Sequence, residues 1–341
     1  VKKTNLILDP LQHSPGSYLL FDDCDYWTLF HPAVPEEPFY RDRAGFESFY
    51  NYKPTALADL AQEYERVFIV LPMYAVVGVD RPESFKQLLA VLYTIVDSKK
   101  PSRVAFFDSH DNPYLPLEFL DARGYRYDAI FKANYRQCAL STYTDKVKSF
   151  PYFCFGPIEP LWVSLTNEGK TPPKQERVSK CFWGAGAGGS FRAGSRPDIE
   201  PRVQEAISFD RDRYTGSPVL NDLLVKTPPL SHEDFMKGLR LHRSFLVLNG
   251  SGKVHRRFFE GVANGSLALL EKNDVIHPAE ELEVWKHDDR CVFETPEELA
   301  SLIGKIAWDE EFYEDRLKAQ QKYKDTVLTK SWLSEYIKKN L

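Results

Sequence analysis

Residues 253–271, KVHRRFFEGVANGSLALLE, read as a helix that stops on glycine and hands over directly to a strand. Just upstream, RSFLVLNG (243–250) is an apolar run of strand length. HRRFFEGVANG (255–265) carries its apolar residues at helical spacing, Gly265 supplies the C-cap, and SLALLE (266–271) is the next strand. Strand, helix and strand within so short a span predict a βαβ unit, and hence a parallel sheet.

The same alternation extends both ways. Downstream, CVFETPEELASLIGKIAWD (291–309) gives a short strand and a helix, with Thr295, Pro296 and Glu298 forming a capping box. A helical tail follows, ending in a last helix over Ser331–Lys338. Upstream, HEDFMKGLRLHR (232–243) and RVQEAISF (202–209) read as helices and SKCFWGAG (179–186) as a strand running into a loop. In the first half, NLILD (5–9), YLLFD (18–22) and RVFIVLP (66–72) read as strands, and RVAFFDSHDNP (103–113) as a strand running into a polar loop. ALADLAQEYE (56–65), SFKQLLAVLYTIVDS (84–98) and PLEFLDARG (116–124), closed by Gly124, read as helices. YDAIFKANY (127–135) and KVKSFPYFCFG (146–156) complete the series, and the polar, proline-bearing stretch that follows is the best linker. The expected fold class is α/β with two Rossmann-like domains.

Composition narrows the function classes. The chain has 341 residues, 44 basic against 49 acidic, a net charge of -5 and 43% hydrophobic content. That length suits two domains with cores of their own, and 14% aromatic residues exclude disorder as the main state. Without a domain-wide basic excess, nucleic acid is disfavoured as a partner. No apolar run approaches a membrane span, and VKKTNLILDP lacks a signal-peptide core, so a cytoplasmic protein without a transmembrane segment is expected. Val1 is not an initiating residue, so a short preceding piece is expected. Cys24, Cys138, Cys154, Cys181 and Cys291 form no CxxC pair and read as inert thiols in a reducing compartment.

Three segments could carry chemistry. In the first, His255, Arg256 and Arg257 occupy a helix's first turn, with Lys253 just before it. Free backbone N–H groups and the helix dipole favour an anion there, and an anionic ligand would reconcile these cations with the dipole. Glu260, three residues after Arg257, lies on the same face, where a carboxylate could accept both ribose hydroxyls while the arginines hold a diphosphate. The plain alternative is a surface helix in which Arg257 and Glu260 pair. The second segment, CFWGAGAGGSFRAGSRPDI (181–199), follows a strand with five glycines between 184 and 194 and then Arg192 and Arg196. Gly184, Gly186 and Gly189 imitate a dinucleotide fingerprint, but no helix follows directly, and no Gly-Lys-Ser/Thr marks a Walker loop. Its alternative is a flexible loop with solvated arginines. In the third, FFDSHDNPY (106–114), Asp108, His110 and Asp111 lie at a strand's carboxyl end, where open α/β sheets bind ligands, and are candidate general bases. The alternative is a turn cap and an exposed histidine. Asp22, Asp23 and Asp25 compete for that role, and HSPGSY (13–18) is a weaker glycine loop.

The arrangement of strand, small-residue loop, basic residues, helix with Glu and Asn-Gly resembles the donor-binding region of GT-B glycosyltransferases. RFFEGVANG (257–265) is similar to the pattern of the spore-maturation-protein type and the group-1 transferases, and the resemblance covers residues 179–341 better than 1–155. It implies an acceptor-side domain (1–156), a linker (157–178), a sugar-nucleotide domain (179–330) and a C-terminal helix (331–341) crossing back to the first domain, with a cleft between the domains. It implies glycosyl transfer from a nucleotide-diphosphate sugar, as co-substrate, to a hydroxyl of a glycan or small acceptor, as in polysaccharide biosynthesis, without a cofactor or metal. Donor residues would be Gly184, Gly186, Arg192, Arg196, Lys253, Arg256, Arg257 and Glu260. One departure matters: eight residues before Glu260 stands Gly252, not the first glutamate of the Glu-x7-Glu found in many retaining members, so the stereochemical outcome is not carried over. Asp23-Cys24-Asp25 spells the Asp-x-Asp of metal-dependent transferases, but too early in the chain for a nucleotide unit to precede it. His242, read within a helix, and His277 show no ligand spacing. Aromatic clusters such as PFY (38–40) and FESFYNY (46–52) suit cores more often than sugar stacking. The rival functions are a GT-B-shaped epimerase or phosphorylase, a non-catalytic carbohydrate-binding protein and a DNA-modifying sugar transferase.

Overall fold

The computed structural model describes residues 2–10, 20–21, 23–29, 55–71, 82–108, 115, 117–136, 145–151, 176–184, 190–191, 209–228, 230–249, 256–273, 275 and 291–341. The chain divides into two compact units, Val1–Glu159 with Lys330–Leu341, and Pro160–Thr329. The final helix therefore belongs to the first unit.

Among the described residues of unit 1, six strands form one sheet: β1 (Lys2–Leu8), β2 (Cys24–Trp27), β3 (Glu63–Val70), β4 (Arg103–Asp108), β5 (Ala129–Lys132) and β6 (Val147–Ser149). Their order is β2-β1-β3-β4-β5-β6 and every pairing is parallel. Parallel strands require crossovers, which α1 (Pro82–Lys99) and α2 (Leu117–Ala122) supply. Leu89, Leu92, Tyr93 and Val96 bury the inner face of α1, as its apolar spacing requires. Gly124 ends α2 at φ +67, with Tyr125 N–H donating to Leu120 O and Gly124 N–H to Asp121 O, a Schellman stop.

The aromatic surplus is spent on this core. Phe21, Phe68, Phe107 and Phe131 run ring to ring, with centroids 4.8, 5.1 and 5.5 Å apart, and Phe150 stacks on Phe107. Helix α8 (Lys330–Lys339) joins the row through Tyr336, 6.4 Å from Phe131 and 6.3 Å from Phe150, and buries Leu333 and Ile337.

Unit 2 repeats the topology. Its sheet orders β10 (Leu224–Lys226), β7 (Val178–Trp183), β11 (His242–Val247), β12 (Leu267–Glu271) and β13 (Val292–Phe293), again all parallel. A separate antiparallel pair joins β8 (Ser190–Phe191) to β9 (Phe209–Asp210). The helices are α3 (Asp212–Thr215), α4 (His232–Leu241), α5 (Arg256–Ala263), α6 (Pro296–Trp308) and α7 (Glu310–Val327). Local chemistry sets their ends. Ser231 caps α4 by accepting from Asp234 N–H, and Thr295 and Glu298 complete the capping box of α6. Gly265, at φ +71, closes α5 with Ser266 N–H donating to Gly261 O and Gly265 N–H to Val262 O. Gln320 of α7 locks the start of β12: its side chain accepts from Ala268 N–H and donates to Ser266 O.

Each unit is thus a doubly wound α/β sheet in which the second strand in sequence lies outside the first and the third lies on its other side. Four local expectations are corrected. Residues 56–65 are no helix: a 3-10 turn covers Leu57–Asp59, and β3 starts at Glu63, where pairing with β1 from Lys2 onward outweighs local spacing. Leu20 and Phe21 lie outside any strand, and β2 starts at Cys24 instead. His242 is not helical but ends α4 in extended backbone and opens β11. Phe209, read as the end of a helix, lies in β9, and residues 202–208 fall outside the described residues.

Candidate functional site

In sheets of this order the chain winds in opposite senses from the strands either side of a switch point, which opens a crevice beyond their carboxyl ends. In unit 2 that point lies between β7 and β11. Trp183 ends β7, Gly184 follows it, and Leu248 and Asn249 follow β11. Helix α5, which comes after β11, starts with Arg256 and Arg257.

The structure brings Arg257 to this point. Its guanidinium carbon stands 6.0 Å from the ring centre of Trp183 and 5.6 Å from that of Phe235 on α4, cation–π contacts that orient a long side chain. Glu260, one turn further along α5, is 3% exposed. Its carbonyl accepts from the Asn264 side chain at 2.7 Å, and Asn264 Oδ1 accepts from Arg240 Nε at 2.7 Å, which ties α5 to the end of α4. Three glycines set the fit. A Cβ on Gly184 would stand 2.5 Å from the Phe182 ring, one on Gly238 2.2 Å from the same ring, and one on Gly261 2.1 Å from the Phe245 ring. Gly184 therefore has a packing reason to be glycine, beside any access it gives a ligand.

A polar cluster at the same carboxyl edge went unread in the sequence. Asn249 N–H donates to Glu271 Oε2 at 2.7 Å, Arg211 Nε donates to Asn249 O at 3.1 Å, and the Tyr214 hydroxyl donates to Glu294 O at 2.8 Å. Burial lowers the pKa of Arg211, and Glu271 opposes that shift. Glu271 at the end of SLALLE and Asn249 in LVLNG were legible signals, since one closes a buried strand and the other comes two residues after one.

In unit 1, Asp108 does end β4, yet it is fully buried beside an equally buried Lys132, Nζ to Oδ2 3.1 Å, an ion pair whose angle falls short of a hydrogen bond. Register opposes the two residues across β4 and β5. Asp9, just past β1 at this sheet's own switch point, is also fully buried and accepts from the Tyr26 hydroxyl at 2.6 Å. The acidic cluster stands elsewhere than expected: Asp23 and Asp25 lie at the amino end of β2, away from the ligand edge. Asp23 accepts from Thr4, which holds its pKa below the usual carboxylate value. Asp25 accepts from Lys3 at 2.7 Å and from the Tyr64 and Thr55 hydroxyls. Both carboxylates serve the fold, so neither competes as a base.

His110, Asp111, Gly186, Arg192, Arg196, Lys253, the Arg256 side chain, Asp22, His255, His277, residues 13–18, 38–40 and 46–52, Cys138 and Cys154 lie outside the described residues. Cys181 and Cys291 are buried, and burial pushes the Cys181 thiol up to about 12, which keeps it unreactive. Among the described residues no group of three His, Cys, Asp or Glu side chains could hold a metal ion, and no helix is long and apolar enough to cross a membrane.

No family model matches the sequence, and no curated protein sequence matches it significantly. Solved structures do. T4 phage β-glucosyltransferase (BGT) in complex with UDP and Mn2+ is 11% identical, with a TM-score of 0.45, over 100% of this chain and 99% of that one. A UDP-N-acetylglucosamine 2-epimerase is 12% identical, with a TM-score of 0.45, over 100% of this chain and 95% of its own. Staphylococcus aureus MnaA with UDP is 11% identical, with a TM-score of 0.39, over 99% of this chain and 98% of its own. Identities and TM-scores this low transfer neither substrate nor reaction to this chain.

Proposed function

We propose that the chain is a glycosyltransferase that moves a sugar from a nucleotide-diphosphate sugar to a hydroxyl of a glycan or other acceptor without a metal. The observation that carries this reading is Arg257 at the switch point of the second sheet, propped on Trp183 and Phe235, with Glu260 one turn along the same helix. A doubly wound sheet receives its ligand at that point, and a helix N-terminus bearing arginines suits a diphosphate. Arg257, with Arg192, Arg196, Lys253 and Arg256, would stabilise charge on the departing diphosphate, the electrostatic role that dominates such transfers. Gly184 and Gly186 would let the backbone approach it, and Glu260 would hold the ribose. Unit 1 is the acceptor side in this reading, with Asp108, His110 or Asp111 as base. For Asp108 that role requires the Lys132 contact to open or be shared.

A thermal-shift panel of UDP-, GDP-, TDP- and CMP-sugars tests the reading. A donor at about a hundred times its Kd adds roughly 2.7 kcal/mol of stability. One donor should raise the melting point, and Arg257→Ala and Glu260→Ala should each weaken that donor, while Arg103→Ala, on an exposed residue of unit 1, should not. If no sugar nucleotide stabilises the protein, the proposal is wrong.

A further inference from the structure

Trp183 is the most unusual side chain at the switch point. It is 2% exposed, yet among the described residues its indole N–H has no hydrogen-bond partner. Buried polar atoms are nearly always paired, and an exception calls for a reason. Indole makes the exception sharper, because it has one donor and no acceptor, so no rotation or second nitrogen can compensate. Position supplies a reason: Trp183 is the last residue of β7, and Arg257 stands over its ring. Across the switch point, two residues beyond β11, Asn249 Oδ1 is also buried without a partner among the described residues, although its Nδ2 donates to Lys272 O at 3.1 Å. Among the described residues, a donor and an acceptor are thus left unmatched at the carboxyl ends of the two strands that flank the switch point.

We infer that Trp183 is a ligand-contacting residue: its indole N–H donates to an oxygen of a nucleoside diphosphate, while its ring and that of Phe235 hold Arg257 against the same anion. The inference rests on the proposed function for the identity of the site, and adds a residue that makes affinity depend on an indole rather than on charge alone. Trp183→Phe separates the two contributions, because it keeps an aromatic face for Arg257 while removing the N–H together with the indole's second ring. A hydrogen bond to a charged oxygen predicts a loss of about tenfold to a hundredfold in affinity for that variant.

The experiment is a titration of the isotope-labelled full chain with UDP, GDP, TDP and CDP in turn, following the indole N–H signals of its six tryptophans. The Trp183 signal is assigned by triple-resonance spectra of the wild type, so the test does not depend on how well the variant folds. Support is a Trp183 signal that shifts in step with saturation by one diphosphate, together with weaker binding of that diphosphate to Trp183→Phe. If a diphosphate binds, and Arg257→Ala weakens it, but the Trp183 signal stays still and Trp183→Phe binds equally well, the inference is overturned and the proposed function stands. If none of the four binds, both are overturned.

Discussion

Lys132→Met tests the most costly electrostatic feature in unit 1. Both members of the Asp108–Lys132 pair are fully buried, so removing the lysine takes away a counter-charge that stands 3.1 Å from a carboxylate held out of water. Breaking such a pair costs about 3–5 kcal/mol, whereas an exposed pair contributes about 0–1 kcal/mol. Lys338–Glu335 on α8, with side chains 44% and 71% exposed, is the internal control, and Lys338→Met should be near neutral. For a domain of about 150–250 residues, 1 kcal/mol moves the melting point by about 2–4 °C, so Lys132→Met should lower it by about 6–20 °C. Replacing both partners, Asp108→Leu with Lys132→Met, should recover most of the loss, because an apolar pair carries no desolvation penalty. Urea denaturation followed by far-UV circular dichroism and by calorimetry reads all four proteins. A Lys132→Met deficit under about 1 kcal/mol, or a double variant no better than the single, would refute the burial argument. The outcome matters for function, since this pair fixes the end of β4 from which the segment holding His110 and Asp111 departs.

Two further predictions concern unit 2. Gly261→Ala places a Cβ 2.1 Å from the Phe245 ring, so α5 must lift from β11. We expect about 1–3 kcal/mol lost to overpacking and weaker sugar-nucleotide binding, because Arg257 and Glu260 ride on the same helix; unchanged thermal stability would sink this. His242, stacked on Phe182 at 5.0 Å with Nδ1 2.7 Å from Gly238 O, has its pKa lowered, first by burial. A depressed folded-state pKa means the unfolded chain binds the proton more readily. The contribution is therefore whole above the ordinary value of 6.5 and is lost as pH falls below it, at no more than about 1.4 kcal/mol per pH unit. Urea midpoints of wild type and His242→Gln between pH 5 and 8 check it, and parallel curves would show that His242 contributes nothing to the acid limb.

The helices were legible where periodicity and chemistry at the ends agreed. In α5 and α6, apolar spacing, a Gly265 stop and a Thr295–Glu298 cap all pointed the same way, and the structure forms each of them. Reading failed where local spacing conflicted with pairing. ALADL has helical spacing, but EYERVFIV ends in four consecutive buried residues and finds β1 as its partner, and sheet formation prevails. Of the candidate site, Arg257 and Glu260 were visible as neighbours on one helix, whereas Trp183 and Phe235 were not visible as their supports, because no local pattern relates β7, α4 and α5.

The sequence by itself determined the α/β class, most helices and their caps, and the basic start of α5, because these depend on interactions within a few residues. Only the tertiary structure decided that Lys132 neutralises Asp108, that Asp23 and Asp25 serve the fold, and that Trp183 and Arg257 meet at the switch point. Those pairings depend on strand register and strand order, and each is fixed by which distant strands exchange backbone hydrogen bonds.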